Sequence, residues 1–216
     1  GLVMEYIDGP SLDELLEQKP LSYEQADVLA EGILNGVAYA HAQGLVHRDL
    51  KPANIMLKLE GSSLVPKVTD FGLAKLLSGD TGRAATRTGS TMGTPHYMSP
   101  EQVSDSKNVD HRTDVFALGA ILYELACGRR TFGGENLLQI FSAVAKAQFT
   151  PPRDLRPDLP ERMERAILGA LEPDRDKRIQ DVGSLLAVWS GKEVHAGGAE
   201  PEGPAGPFDA EFLSSV

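Results

Sequence analysis

Cysteine is nearly absent: Cys127 is the one in 216 residues. A lone cysteine excludes an internal disulfide framework and a thiolate zinc site, and it suits a reducing compartment. Positive charge is also short, with 21 Lys and Arg against 31 Asp and Glu and a net charge of −10. Sequence-independent nucleic-acid binding needs clustered cations to neutralise phosphates, so nucleic acid is not an expected partner. No apolar run approaches the roughly 18 residues of a membrane span. The first residues lack a basic stretch followed by an apolar one and a cleavage site. The expectation is a soluble, cytoplasmic piece. It opens on Gly1-Leu2-Val3-Met4, with Met4 inside an apolar stretch, so a natural start upstream is expected. The rest of the composition, 41% hydrophobic and 24% charged, is ordinary for one or two globular domains.

Patterning divides the chain unevenly. Leu2 to Ile7 reads as a short strand, stopped by the turn residues Asp8-Gly9-Pro10. Ser11 is placed to cap a short helix whose leucines 12, 15 and 16 share a face, closed by Pro20. Ser22 and Gln25 form a capping box for a longer helix, with Ala26, Leu29, Ile33, Val37 and Ala40 on one side and Gly44 as its stop. From Leu45 to Asp70, short apolar runs at Leu45-Val46, Ile55 to Leu59 and Val65 to Thr69 predict small strands around loops. Ser78 to Gly93 is too polar to pack and too long for a plain connection, which makes it functional or disordered. A very apolar helix is then predicted from Thr113 or Asp114 to Cys127, ended by Gly128 and buried on most faces. Further helices are predicted at about Glu135 to Ala147, Glu161 to Leu171 and Asp181 to Trp189, with a Pro-rich turn at Thr150 to Pro160. Residues 191–216, rich in Gly, Pro, Ala and acids, are expected to be disordered.

Taken alone, His47-Arg48-Asp49 is a loop with a surface ion pair. The residues beyond it change the weighing by their order: Asn54 five residues after Asp49, then Asp70-Phe71-Gly72, then Ser99-Pro100-Glu101 past the polar stretch. These match in sequence the protein-kinase signatures H-R-D-L-x-x-x-N, D-F-G and A-P-E, with Ser99 where Ala is commoner. Residues 1–190 thus resemble the large C-terminal lobe of a eukaryotic-like (Hanks-type) serine/threonine protein kinase. The run His-Ala-Gln-Gly-Leu-Val-His-Arg-Asp-Leu-Lys-Pro-Ala-Asn resembles the bacterial branch. The implied fold is mainly α (α+β), with short β-strands around the catalytic loop.

The resemblance implies roles. Asp49 would accept the proton of a substrate hydroxyl, and Lys51, in Asp-Leu-Lys-Pro, would neutralise the transferring phosphate as in the serine/threonine class. Asn54 and Asp70 supply the hard oxygen ligands Mg²⁺ prefers, with ATP as the phosphate donor. Thr94 resembles the threonine that meets Asp49 beside the substrate. Met4 resembles the gatekeeper of the adenine pocket, Glu5 to Ile7 the hinge, and Met56 its floor, though plain core filling also suits the two methionines. His47, Phe71 and Gly72 fall to structural roles, His47 packing beside Phe71. Asp114 resembles the carboxylate that accepts backbone N–H bonds from the His47-Arg48 loop, and Glu101 and Arg178 resemble a buried ion pair. Arg48, facing a Thr-rich loop, implies pairing with a phosphate on Thr86 or Thr88, the expected autophosphorylation sites. His41, His96, His111 and His195 show no metal-ligand spacing, and Cys127 reads as inert core.

The departure from the family is that no glycine-rich loop, V-A-I-K-type lysine or partner glutamate is found in the 216 residues. The N-terminal small lobe is therefore expected to be missing. Two functions stand at this point. One is a fragment of an active kinase acting on Ser/Thr hydroxyls of protein substrates; the other is a non-catalytic, truncated lobe that serves as a substrate-docking or regulatory module. Joint retention of Asp49, Lys51, Asn54 and Asp70 favours the first. Ala53 stands where some relatives carry the glutamate that selects arginine-containing substrates, so that preference is not carried over.

Overall fold

The computed structural model describes residues 6–61, 63–71, 95–104 and 109–192, together with Phe208 and Phe212. Among these, helices dominate and a single two-stranded sheet is present. The chain runs through α1 (Leu12–Gln18), α2 (Tyr23–Ala42), a 3₁₀ turn (Pro52–Asn54), β1 (Ile55–Glu60) and β2 (Ser63–Val68). A second 3₁₀ turn (Pro95–Tyr97) follows, then α3 (Pro100–Ser104), α4 (Arg112–Cys127), α5 (Leu137–Ala145), α6 (Pro152–Leu155), α7 (Glu161–Ala170) and α8 (Val182–Ser190). The mainly helical fold with a small sheet is the architecture expected. No helix of the described residues is long and apolar enough to cross a membrane.

Local signals explain the well-formed helices. At α2, Ser22 Oγ accepts from the Gln25 N–H and Gln25 Oε1 accepts from the Ser22 N–H, so both donors freed at the helix start are satisfied. Ser11 does the same at α1, where Glu14 completes the box. At α8 the Asp181 carboxylate accepts from the Ser184 N–H at 2.7 Å.

Helix α4 is the axis of the fold: every residue from Thr113 to Cys127 is buried. Helices α2 and α7 pack against it, and α8 closes over α2 and α7. The approach of α7 depends on Gly119, because a Cβ there would lie 2.8 Å from the Ala170 Cβ. Asp27 on α2 and Arg162 on α7 are joined by a charged hydrogen bond. Trp189 of α8 is completely buried in this core.

β1 and β2 pair antiparallel with Ile55 opposite Val68 and Glu60 opposite Ser63. This hairpin lies on α2. The segment before α1 crosses β1: the Leu57 N–H donates to the Pro10 carbonyl at 2.8 Å, and Ser11 bridges Met56. Gly9 makes that crossing possible, since a Cβ would sit 2.0 Å from the Leu57 carbonyl oxygen.

The structure corrects several expectations. Leu45-Val46 is irregular rather than a strand. It is confined between Gly44 at φ +76° and Arg48 at φ +69°, which leaves no straight length for a ladder. Tyr6 and Ile7 carry no strand pairing among the described residues, and residues 2–5 of the same expected strand lie outside them. Helix α1 ends at Gln18 before Pro20, and α5 starts at Leu137 because Asn136, not Glu135, accepts from the Gln139 N–H as its cap. The short helices α3 and α6 were not expected. Both open on a proline, Pro100 and Pro152, whose fixed φ suits a first helical turn. The expectation of a disordered tail falls on residues 193–216, which lie outside the described residues apart from Phe208 and Phe212, both buried.

Candidate active site

The loop after α2 is held from beneath by one carboxylate. Asp114, 1% exposed on α4, accepts from the His47 N–H at 2.7 Å and from the Arg48 N–H at 2.8 Å. His41 Nε2 lies 2.8 Å from the same carboxylate. Arg48 is in the left-handed region, uncommon for a residue with a side chain, and its anchored backbone holds it there. Its carbonyl accepts from Gln102 Nε2 at 2.8 Å, which ties the loop to α3.

His47 is a brace. Its Nδ1 accepts from the Asp49 N–H at 3.2 Å, so the ring hydrogen sits on Nε2 and is donated to the Thr69 carbonyl at 2.7 Å. The ring is 1% exposed and lies 4.8 Å from the ring of Phe71. The imidazole thereby joins the loop to the end of β2.

The side chains expected to carry chemistry sit on the outer side of this frame. Asp49 has a half-exposed carboxylate that accepts from Lys51 Nζ at 2.8 Å. Asn54, in the 3₁₀ turn, donates through Nδ2 to the Asp49 main-chain carbonyl at 2.9 Å. Its own carbonyl accepts from the Thr69 N–H and hydroxyl at 2.9 and 3.1 Å. The next residue, Asp70, is exposed and in the left-handed region at φ +62°. Asp49, Lys51 and Asn54 thus form one constellation, and the Thr69 bonds bring the Asp70 backbone to it.

These residues fit a divalent cation that arrives with a nucleotide. With its Nδ2 committed to a carbonyl, Asn54 offers Oδ1, and Asp70 offers an exposed carboxylate. Two hard oxygen donors are too few for a resident all-protein site and are what Mg²⁺ takes when phosphates complete its shell. Among the described residues no group of three His, Cys, Asp or Glu side chains could hold a metal.

Met56 and the segment carrying Ile7 meet at the Pro10–Leu57 and Ser11–Met56 crossing. Met4, Glu5, Gly72, Thr86, Thr88 and Thr94 lie outside the described residues.

On the far side of the loop, Glu101 and Arg178 make a bidentate pair at 2.7 and 3.0 Å. Arg178 is 1% exposed and also donates to the carbonyls of Glu172 and Arg112. Burial pushes the Glu101 carboxyl up, but the guanidinium outweighs it and holds that group below its ordinary range. Tyr97, at the end of the second 3₁₀ turn, donates to Glu124 at 2.5 Å. Burial raises the Tyr97 phenol far above its usual range, with the Glu124 charge adding to it. Burial likewise raises Glu124, against the opposing bond from Tyr97.

Sequence reasoning missed Gln102, His41, Tyr97 and Glu124. Gln102 had a visible signal, since Ser99 and Gln102 are spaced as a capping box and make one: the Ser99 N–H donates to Gln102 Oε1 at 2.9 Å. The serine that departs from the commoner alanine also finds Thr113 Oγ1 at 2.8 Å in the core.

The protein kinase domain family model matches residues 1–187. The chain belongs to the protein kinase family. A probable serine/threonine-protein kinase of Streptomyces coelicolor is 36% identical over 214 residues, covering 97% of this kinase chain and 31% of that protein. Serine/threonine-protein kinase PknB of Mycolicibacterium smegmatis is 34% identical over 216 residues, 100% of this chain and 33% of that protein. PknB of Mycobacterium tuberculosis is 32% identical over 214 residues, 99% and 33% respectively. The kinase chain spans about a third of the length of these curated relatives. Family membership brings ATP and Mg²⁺ use and protein substrates as general properties of protein kinases.

Proposed function

We propose that this chain carries the phosphoryl-transfer half of a serine/threonine protein kinase, with the hinge and large lobe in residues 1–190 and the small lobe elsewhere in the parent protein. The observation that carries the reading is the Asp49–Lys51–Asn54 constellation on a loop pinned by the buried Asp114. Phosphoryl transfer passes through a loose transition state, so the protein's work is positioning and charge balance. Asp49 accepts the proton of a Ser or Thr hydroxyl and orients its oxygen. Lys51, already on the Asp49 carboxylate, sets a positive charge beside the incoming phosphoryl group. By resemblance, Thr94 is assigned to the substrate hydroxyl and Met4, Glu5, Ile7 and Met56 to the adenine. Mg²⁺ bound through Asn54 and Asp70 supplies charge neutralisation for the nucleotide phosphates. A lobe freed from chemistry has no physical need for a base and a cation on one anchored loop with two oxygen ligands, one on that loop and one at the end of β2 beside it, which favours catalysis over docking alone.

The metal assignment is tested by Asp70→Asn in the full-length protein. The substitution is expected to weaken Mg²⁺-dependent nucleotide binding about tenfold or more, read by calorimetry with and without the metal. Affinity unchanged by both Mg²⁺ and the substitution would remove Asp70 from the site.

Regulation is proposed at Arg48. Its exposed side chain, on a backbone fixed by Asp114 and Gln102, is a preset cation for a phosphate on Thr86 or Thr88. Mass spectrometry of active enzyme is expected to find phosphate on one or both; phosphate confined to Ser90 or Thr91 overturns the assignment.

A further inference from the structure

The tail after Gly191 carries five acids, one lysine and two phenylalanines, Phe208 and Phe212, four residues apart. A segment of that composition has almost nothing with which to offset its ordering entropy except its aromatic rings. Both rings are used: Phe208 is 3% exposed and Phe212 6%, and both belong to the buried apolar core of the described residues. Their centroids are 5.0 Å apart. Lys19, which caps the end of α1, sets its Nζ 3.9 Å from the centre of the Phe212 ring. An ammonium over an aromatic face is attracted by the ring quadrupole. The sequence between the rings holds Asp209 and Glu211, so the segment is also complementary in charge to Lys19.

We propose that Phe208 and Phe212 are an intrachain anchor that docks the C-terminal tail at the end of α1, with Lys19 as the cationic partner of the second ring. The position matters because the other end of α1 is Ser11, whose bridge to Met56 fixes the crossing beside the proposed adenine side. The anchor therefore braces the element bordering the nucleotide cleft from its far end. That consequence for the cleft rests on the proposed adenine side; the anchor itself does not, and its test uses no activity.

The test compares the intact chain with Phe208→Ala/Phe212→Ala by amide hydrogen exchange and thermal unfolding. In the intact chain, amides of residues 206–214 are expected to exchange at least about tenfold more slowly than in a free peptide of that sequence. The double variant is expected to lose this protection and to melt about 5 °C or more lower. Phe212→Leu, which keeps apolar volume but removes the ring over Lys19, is expected to fall between the two. Free-peptide exchange in the intact chain overturns the anchor, and that reading stands even where the double variant fails to fold. A double variant indistinguishable from the parent overturns it as well. Protection that rises with protein concentration would seat the tail on a second copy and so overturn the intrachain assignment.

Discussion

Asp49→Asn in the full-length kinase is expected to lower the rate of protein phosphorylation by about 10²–10⁴-fold, the range general-base catalysis supplies, with the fold intact. The structure separates what the side chain does from what the backbone does. Asp49 supports its loop through main-chain groups: its N–H donates to His47 Nδ1 and its carbonyl accepts from Asn54. Asparagine keeps both. The carboxylate itself is half exposed and touches Lys51, so its loss costs little stability. What the substitution removes is the proposed proton acceptor and the negative charge beside Lys51. A thermal midpoint within about 2 °C of the parent, together with nucleotide affinity near the parent's, is expected beside the collapse in turnover. A phosphorylation rate undiminished by Asp49→Asn would take this residue out of the mechanism.

The parts of the molecule legible in the sequence are those whose cause is local. Helix α2 announces itself through the Ser22–Gln25 box, and α4 through a run so apolar that it has to be buried. The Asp49, Asn54 and Asp70 spacing was readable because the loop after α2 and the hairpin that follows it are nearly continuous in sequence. Helices α3 and α6 escaped because five and four residues are too few to show a period. Gln102 escaped as a loop contact because its partner is the carbonyl of Arg48, 54 residues earlier, and a backbone acceptor leaves no mark on sequence. His41 looked like one imidazole among several, and only the packing of α2 on α4 puts it on Asp114. Average composition of the tail gave no sign that Phe208 and Phe212, four residues apart, are buried.

Arg178→Ala is expected to cost about 3–5 kcal/mol at neutral pH, the loss expected when one partner of a buried pair is removed. The guanidinium does more than neutralise Glu101. It also satisfies the carbonyls of Glu172 and Arg112, and it lies 5.0 Å from the centre of the Phe116 ring. Lysine offers one compact charge in place of that planar fork, so Arg178→Lys is expected to recover only part of the loss. The damage is expected to reach the candidate site, because Glu101 and Gln102 are adjacent on α3 and Gln102 holds the Arg48 carbonyl. The pH dependence fixes the cause. With Arg178 in place the Glu101 carboxyl titrates below its unfolded value, so the pair's contribution is full above the ordinary carboxylate range and fades as pH falls through the lowered value. Without Arg178, burial alone raises that carboxyl, and protonating it relieves the variant. The stability gap between parent and Arg178→Ala is therefore expected to be widest at neutral pH and to narrow toward about pH 4, near the ordinary carboxylate range. Denaturant midpoints at both ends of that range measure it; a gap below about 1 kcal/mol at neutral pH, or one that does not move with pH, would mean that the pair is no more than a surface contact in its energetics.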